Sequence, residues 1–233
     1  QDTIRALEKE KEKGDYFIEK AYYELINNKL SGLNIAILQT TEHYYYSDIK
    51  NTLEEAGAII PIHLVFTDKI FYLTDQELNN INDFIGAKLS KLEVIEQVND
   101  DIINFLLNDT ITVLMDFMIN NEFINLTQYY ENKDGISQVI IAGGKHDESN
   151  QSTTMIDLGL IKKLHLNNIR AIGVERLDVL YTSIPLYKEI GISTIDNVDT
   201  LIGRISLVLV ANGRDGSFGE KSFSEALVPL GAI

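Results

Sequence analysis

The feature that most constrains this chain is an alternation of short apolar strands with amphipathic helices from residue 33 onward. Strands that are apolar on both faces and separated by helices are typical of a parallel sheet covered on both sides. The predicted strands are 33–40, 59–66, 137–144, 170–175 and 192–196. We therefore predict an α/β fold with a Rossmann-like or flavodoxin-like parallel sheet of about five strands covered by helices.

The first 32 residues precede this alternation. Residues 1–32 form a charged segment. Apolar residues occupy some of its heptad a and d positions, as at Ile4, Leu7, Ile18 and Leu25. Such spacing places these side chains on one face of a helix, where they can form a coiled-coil seam. We predict an N-terminal helical stalk, and a helix that packs on its own domain is the alternative.

A long segment between the second and third predicted strands carries helical periodicity. It begins with a capping box at Thr74 and includes a predicted helix over 110–126. One crossover between parallel strands needs only a single helix, so the segment exceeds that requirement. We predict a helical insertion at 74–132 within an α/β domain that spans 33–233.

Charge and cysteine content exclude several classes of function. The chain has 35 acidic and 20 basic residues, a formal net charge of -15, which repels nucleic-acid phosphates. It has no cysteine, which excludes thiolate nucleophiles, iron–sulfur clusters and cysteine-type zinc sites. Because of the negative charge, we expect no nucleic-acid partner.

The chain opens with Gln1 rather than Met, so we expect that a preceding segment was removed.

A pair of glycines follows the third predicted strand. Gly143 and Gly144 precede Lys145 and His146, and backbone N–H groups at such a turn can approach an anion. A ligand in a parallel sheet binds in the crevice at the carboxyl edge, which is where this turn falls. These four residues are therefore candidate ligand contacts for a small-molecule or nucleotide-binding enzyme or sensor. A purely structural turn is the alternative.

Two groups of residues are candidate metal ligands. His43 and His146 each follow a predicted strand, so both belong to the carboxyl edge of the sheet and can meet in space. Met115 and Met118 are spaced so that both thioethers share one helical face, and soft Cu(I) accepts such ligands. Methionines at this spacing also fill hydrophobic cores, which is the alternative for that pair.

The C-terminal region, from about residue 193 onward, contains several glycines and residues with short polar side chains. Either Asp199 or Thr200 can cap the last predicted helix, and Gly203 inside that helix suggests close approach to another backbone. We predict structural rather than catalytic roles for this region. The residues concerned are Asp196, Asn197, Asp199, Thr200, Gly203, Gly216 and Gly219.

This region resembles the MctB/SteB-like family, the family of the mycobacterial copper-transport outer-membrane protein B. The matching string is Ser-Thr-Ile-Asp-Asn-Val-Asp-Thr at 193–200, followed by glycines and by Pro229. Two shorter pieces agree, the Ala-Gly-Ala at 56–58 and the strand with paired glycines at 140–144. The resemblance covers roughly residues 1–230 in layout.

The resemblance implies a domain architecture and a subcellular location. Members of the family have one transmembrane helix, a coiled-coil stalk and an extracytoplasmic α/β domain, which implies a membrane anchor before this chain. We predict a non-catalytic, single-pass cell-membrane protein whose domain faces outside the cytoplasm. It is expected to dimerise through the stalk and to bind an envelope or division-associated protein. Copper homeostasis or transport is the alternative that the resemblance implies, and otherwise we expect no cofactor.

Overall fold

The computed structural model describes residues 2–131 and 135–230 of the chain. Residue 1, residues 132–134, which include the end of the predicted insertion, and residues 231–233 at the end of the predicted domain lie outside the described residues. The described chain forms a mostly parallel β-sheet with helices on both faces, so the α/β class is confirmed.

The sheet has seven strands in the order β3-β2-β1-β4-β5-β6-β7. β3 pairs antiparallel to β2, and the other neighbouring pairs are parallel. Between the two edge strands the spatial order is β2-β1-β4-β5-β6. If these five strands are numbered by their order in the chain, the arrangement is 2-1-3-4-5, which is found in doubly wound sheets. The strands are β1 Ile35–Gln39, β2 Ile62–Phe66, β3 Ile124–Tyr129, β4 Gln138–Ala142, β5 Arg170–Val174, β6 Ser193–Ile195 and β7 Ser217–Phe218.

The prediction of about five strands was too low, because both edge strands were missed. The helix predicted over 110–126 is confined to Val113–Asn120. The chain then turns at Glu122, which has a φ of 59°, and continues as β3. Burial alternates along β3 because one face packs on the core while the other is exposed. The end of the predicted helical insertion is therefore a strand of the sheet.

Two hydrophobic cores lie on opposite faces of the sheet. Alternate residues of the strands point to each side, so that Ile35 and Ile37 enter one core while Ala36 and Leu38 enter the other. Helices α1, α2 and α8 cover the first face, and α3 to α7 cover the second. The helices are α1 Asp2–Ile26, α2 Ser47–Glu55, α3 Asp75–Ile85, α4 Lys91–Asn108, α5 Val113–Asn120, α6 Leu158–Leu166, α7 Ile184–Glu189 and α8 Leu201–Ala211.

None of the helices in the described ranges is both long and apolar enough to cross a bilayer by itself. Helices α4 and α5 satisfy that length and composition test only as a pair, and they meet at an angle of 104°.

The predicted stalk corresponds mainly to helix α1, whose beginning and end lie in different environments. Residues 3–17 are exposed, and Ile4 and Leu7 of the predicted seam are 62% and 66% exposed. Farther along, Tyr22 and Ile26 are buried in the core on the α2 and α8 side. The beginning of the helix therefore projects from the body of the protein, and its end belongs to the α/β domain.

Candidate functional site

Two histidines and an aspartate meet at the carboxyl edge of the sheet. His43 follows β1, His146 follows β4, and Asp68 opens a short 3₁₀ helix after β2. His43 Nε2 lies 2.7 Å from Asp68 Oδ2, and His146 Nε2 lies 3.8 Å from the same oxygen. The two imidazole rings stack with their centroids 3.3 Å apart. The prediction that His43 and His146 meet in space is thus confirmed. We call these three residues the histidine cluster.

The donor atoms of the histidine cluster suit a divalent transition metal. One ligand atom from each residue can be chosen so that all three lie within 4.8 Å of one another. Asp68 Oδ1 and His146 Nδ1 are buried and have no hydrogen-bond partner in the described part of the chain, so both remain available. The three side chains are 28% to 35% exposed, which leaves a path for an ion from solvent. Imidazole suits copper, zinc, nickel and iron, and two histidines with one carboxylate are also the ligands of non-haem Fe(II) sites.

Backbone and side-chain contacts fix the loops that carry the cluster. Glu42 Oε1 accepts a hydrogen bond of 2.7 Å from the Asp68 backbone N–H, which ties the loop after β1 to the loop after β2. The Tyr44 hydroxyl donates to the Lys145 carbonyl at 3.2 Å. Lys145 also pairs through its backbone with Tyr181 in both directions at 3.0 Å. The cluster therefore lies on loops that are held together.

Asp68 was not identified from the sequence as a candidate ligand, although its position after a predicted strand could have indicated it. It lies two residues after the end of β2, at the same carboxyl edge as the two histidines. Because β2 and β4 both neighbour β1, the three loops that carry the cluster converge. An aspartate just after a predicted strand is therefore the kind of residue to examine beside His43.

The paired glycines pack closely against other side chains. A Cβ on Gly143 would lie 2.1 Å from the Tyr187 hydroxyl oxygen, and one on Gly144 would lie 2.6 Å from a Val179 methyl carbon. Gly144 also has a φ of 102°, a conformation that favours glycine. Lys145 Nζ lies 3.4 Å from the Glu148 carbonyl oxygen. These contacts support the structural-turn interpretation for the glycines.

The two methionines lie in the hydrophobic core. Met115 and Met118 of α5 are 1% and 0% exposed and belong to the core on the face covered by α3 to α7. An ion from solvent does not reach thioethers buried to this degree without displacing the core. The core-filling alternative for Met115 and Met118 is therefore the better description, and the histidine cluster is the stronger metal candidate.

Several buried polar groups pair near the ends of β4 and β5, and no sequence pattern indicated these pairings. The Tyr187 hydroxyl donates to Asp157 Oδ2, and Tyr46 donates to the Gly143 carbonyl at 2.6 Å. Burial raises the pKa of Asp157 to about 6 despite the hydrogen bond from Tyr187. Glu175 is fully buried and pairs with Lys221, whose Nζ lies 3.2 Å from Oε2. These groups join the ends of β4 and β5 to α7 and to the C-terminal tail.

The start of α8 shows why a glycine occurs inside a helix. Thr200 is the cap, since its Oγ1 accepts a 3.0 Å hydrogen bond from the Gly203 backbone N–H. A Cβ on Gly203 would lie 1.9 Å from the Asn197 carbonyl oxygen, so the predicted close backbone approach is confirmed. Asp199 Oδ1 instead accepts a 2.7 Å hydrogen bond from the Leu177 backbone N–H.

The glycine-rich tail is fastened to the end of β6 by Asp196. Its two carboxylate oxygens accept hydrogen bonds of 2.8 Å and 3.1 Å from the backbones of Glu220 and Lys221. Gly219 has a φ of 138°, and a Cβ there would lie 1.9 Å from Asp196 Oδ1. Gly216 has a φ of 134°. These contacts support the structural roles predicted for the C-terminal region.

Comparison with known proteins gives a match along nearly the whole chain. A family model described as "Copper transport outer membrane protein, MctB" matches residues 1–229. Among curated proteins, none matches the chain. The matched residues include α1, the histidine cluster and the C-terminal tail.

Proposed function

The chain belongs to the MctB family of copper transport outer membrane proteins, and from this membership we propose that it binds copper in the cell envelope at the histidine cluster. The observation that carries the proposal is the meeting of His43, Asp68 and His146 at one point of the sheet edge. The role is binding and delivery of the ion, without a chemical reaction.

The chemistry of the donors favours Cu(II) over Cu(I). Two imidazoles and a carboxylate are nitrogen and oxygen donors, whereas Cu(I) prefers thiolates and thioethers. The chain has no cysteine, and Met115 and Met118 are buried in the core. Among divalent first-row ions, such donor sets generally bind Cu(II) most tightly.

Copper titration of the purified domain tests this proposal. We expect one equivalent of Cu(II) to bind with the electron paramagnetic resonance signature of nitrogen ligands. The His146→Ala variant should bind at least about a hundredfold more weakly, because loss of even an outer partner of a ligand costs ten- to a hundredfold.

His165→Ala is the matched control for this titration. His165 is exposed near the end of α6, outside the histidine cluster. Its variant should bind copper as the wild type does. If the two variants lost affinity equally, or if the wild type bound copper only weakly and without defined stoichiometry, the cluster would not be a copper site.

A second role, in interaction with another protein, is supported by the exposed beginning of α1. Ile4, Leu7 and Phe17 are 62%, 66% and 70% exposed there, which is a large apolar surface for a charged helix. We propose that a second copy of the chain covers Ile4 and Leu7 in a parallel coiled coil. The stalk then follows a single membrane helix and holds the domain outside the cytoplasm, where an envelope or division-associated protein is the proposed partner.

Disulfide trapping tests the parallel pairing of the stalk. Because the chain has no cysteine, a single Leu7→Cys variant reports on that position alone. We expect it to form a covalent dimer under mild oxidation, since seam positions of two parallel helices face each other. Lys9→Cys, which lies off the seam, is the control and should remain largely monomeric on a non-reducing gel. Equal crosslinking at both positions would contradict a defined seam.

A further inference from the structure

An open cleft lies next to the histidine cluster. Its volume is about 490 Å³, and it runs between α2 and the strands β2 and β3. The lining includes His43 and Tyr45 at the sheet edge, Lys50 of α2, His63 of β2 and Gln128 of β3. A cleft of this size falls within the range of small-molecule sites in proteins.

His63 presents an unsatisfied polar group in the lining of this cleft. The residue is 8% exposed, and its Nε2 is buried without a hydrogen-bond partner in the described part of the chain. Burial, with a smaller contribution from the nearby Lys50, lowers the pKa of His63 to about 4, so the imidazole is neutral at pH 7. A buried nitrogen without a partner costs free energy. In the neutral tautomer with its proton on Nδ1, Nε2 is an acceptor, and a ligand that brings an N–H or O–H group removes that cost.

The aromatic lining suits a planar ring. Tyr44, Tyr45 and Tyr46 follow one another in the loop after β1, and all three line the cleft. The hydroxyls of Tyr44 and Tyr46 are held by the carbonyls of Lys145 and Gly143. Tyr46 is only 2% exposed, whereas Tyr45 is 71% exposed, so Tyr45 is the ring that a ligand in the cleft can contact. Aromatic rings favour contact with other rings.

The metal site and the cleft share His43. Cu(II) with nitrogen and oxygen donors adopts square-planar or tetragonal geometry. In a tetragonal site with axial positions, three protein donors leave room for both the amine and the carboxylate of an amino acid. A molecule in the cleft lies beside that metal, because His43 belongs to both sites.

We propose that the cleft binds the organic part of a small copper chelate, an aromatic amino acid whose amine and carboxylate complete the metal coordination and whose ring reaches His63. This inference deepens the proposed function and rests on it. The tyrosine side chain satisfies both requirements of the cleft, since its ring lies against the tyrosine loop and its hydroxyl donates to His63 Nε2.

Three amino acids with the same chelating groups separate the contributions of the ring and the hydroxyl. The protein loaded with one equivalent of Cu(II) is dialysed against L-tyrosine, L-phenylalanine or L-alanine, and retained copper and amino acid are quantified. We expect tyrosine to be retained most tightly, with phenylalanine weaker by about tenfold for the lost hydrogen bond and alanine weaker still.

His63→Leu is the decisive variant, because it keeps the volume of the side chain and removes the acceptor. We expect it to bind Cu(II) alone as the wild type does and to lose the preference for tyrosine over phenylalanine. Equal retention of all three amino acids by the wild type, or a preference that survives in His63→Leu, would overturn the inference while copper binding stands. If the wild type bound no stoichiometric Cu(II) without amino acid, the proposed function and this inference would both fail.

Discussion

Replacement of Gly203 by alanine is expected to lower the free energy of unfolding by about 3 kcal/mol. The added Cβ would lie 1.9 Å from the Asn197 carbonyl oxygen, and this neighbour is backbone that cannot rotate away. Asn197 is fully buried at the end of β6, so the first turn of α8 must shift. The gain in helix propensity, about 1 kcal/mol, is too small to offset this clash. Urea denaturation followed by circular dichroism measures the effect.

Gly14→Ala provides a matched control within another helix. Gly14 lies in α1, and a Cβ there would have no neighbour within 4 Å. The substitution should leave the unfolding free energy unchanged or raise it by up to about 1 kcal/mol, because only helix propensity changes. Equal denaturation midpoints for the Gly203 and Gly14 variants would show that the contact between α8 and Asn197 is not as close as described.

The contact at Gly203 also shows what the sequence could reveal. A glycine inside an apolar helix is unfavourable unless something needs the space, and this reasoning identified the close approach. The position of His43 and His146 at one edge was predictable in the same way, because parallel strands end at one edge whatever their order. Their contact depends in addition on the pairing of β1 with β4. Both inferences depend on local sequence and on general properties of α/β sheets.

Other features depended on pairing that the local sequence does not encode. β3 begins four residues after the end of α5. Its alternation of Ile124 and Leu126 with polar residues becomes a strand because β2 offers an edge to pair with. β7 has two residues, which is too short for any periodicity. The pairing of Glu175 with Lys221 joins residues 46 positions apart, so only the folded chain brings them together.

Replacement of Lys221 by methionine is expected to lower the unfolding free energy by about 3–5 kcal/mol at pH 7, since removing one partner of a buried ion pair leaves an uncompensated charge. Glu175 is fully buried, and Lys221 Nζ lies 3.2 Å from its Oε2. Thr182 Oγ1 donates to the same oxygen at 2.6 Å, but a hydroxyl carries no charge to balance the carboxylate. Methionine keeps the length of the lysine side chain while removing its charge. Urea denaturation at pH 7 measures the loss.

The pH dependence of the Lys221→Met variant tests the cause of that loss. Burial raises the pKa of Glu175, and Lys221 is the largest influence that opposes the rise. Without the lysine the folded-state pKa lies still higher above the unfolded value, so the folded protein binds more protons and is stabilised as the pH falls. The deficit should therefore shrink between pH 7 and pH 5. A Glu175→Gln/Lys221→Met double variant, which has no charge at either position of this pair, should recover much of the stability at pH 7 and lack the pH dependence that Glu175 contributes. A deficit that is independent of pH in the single variant would indicate lost packing of the lysine side chain instead of an unpaired carboxylate.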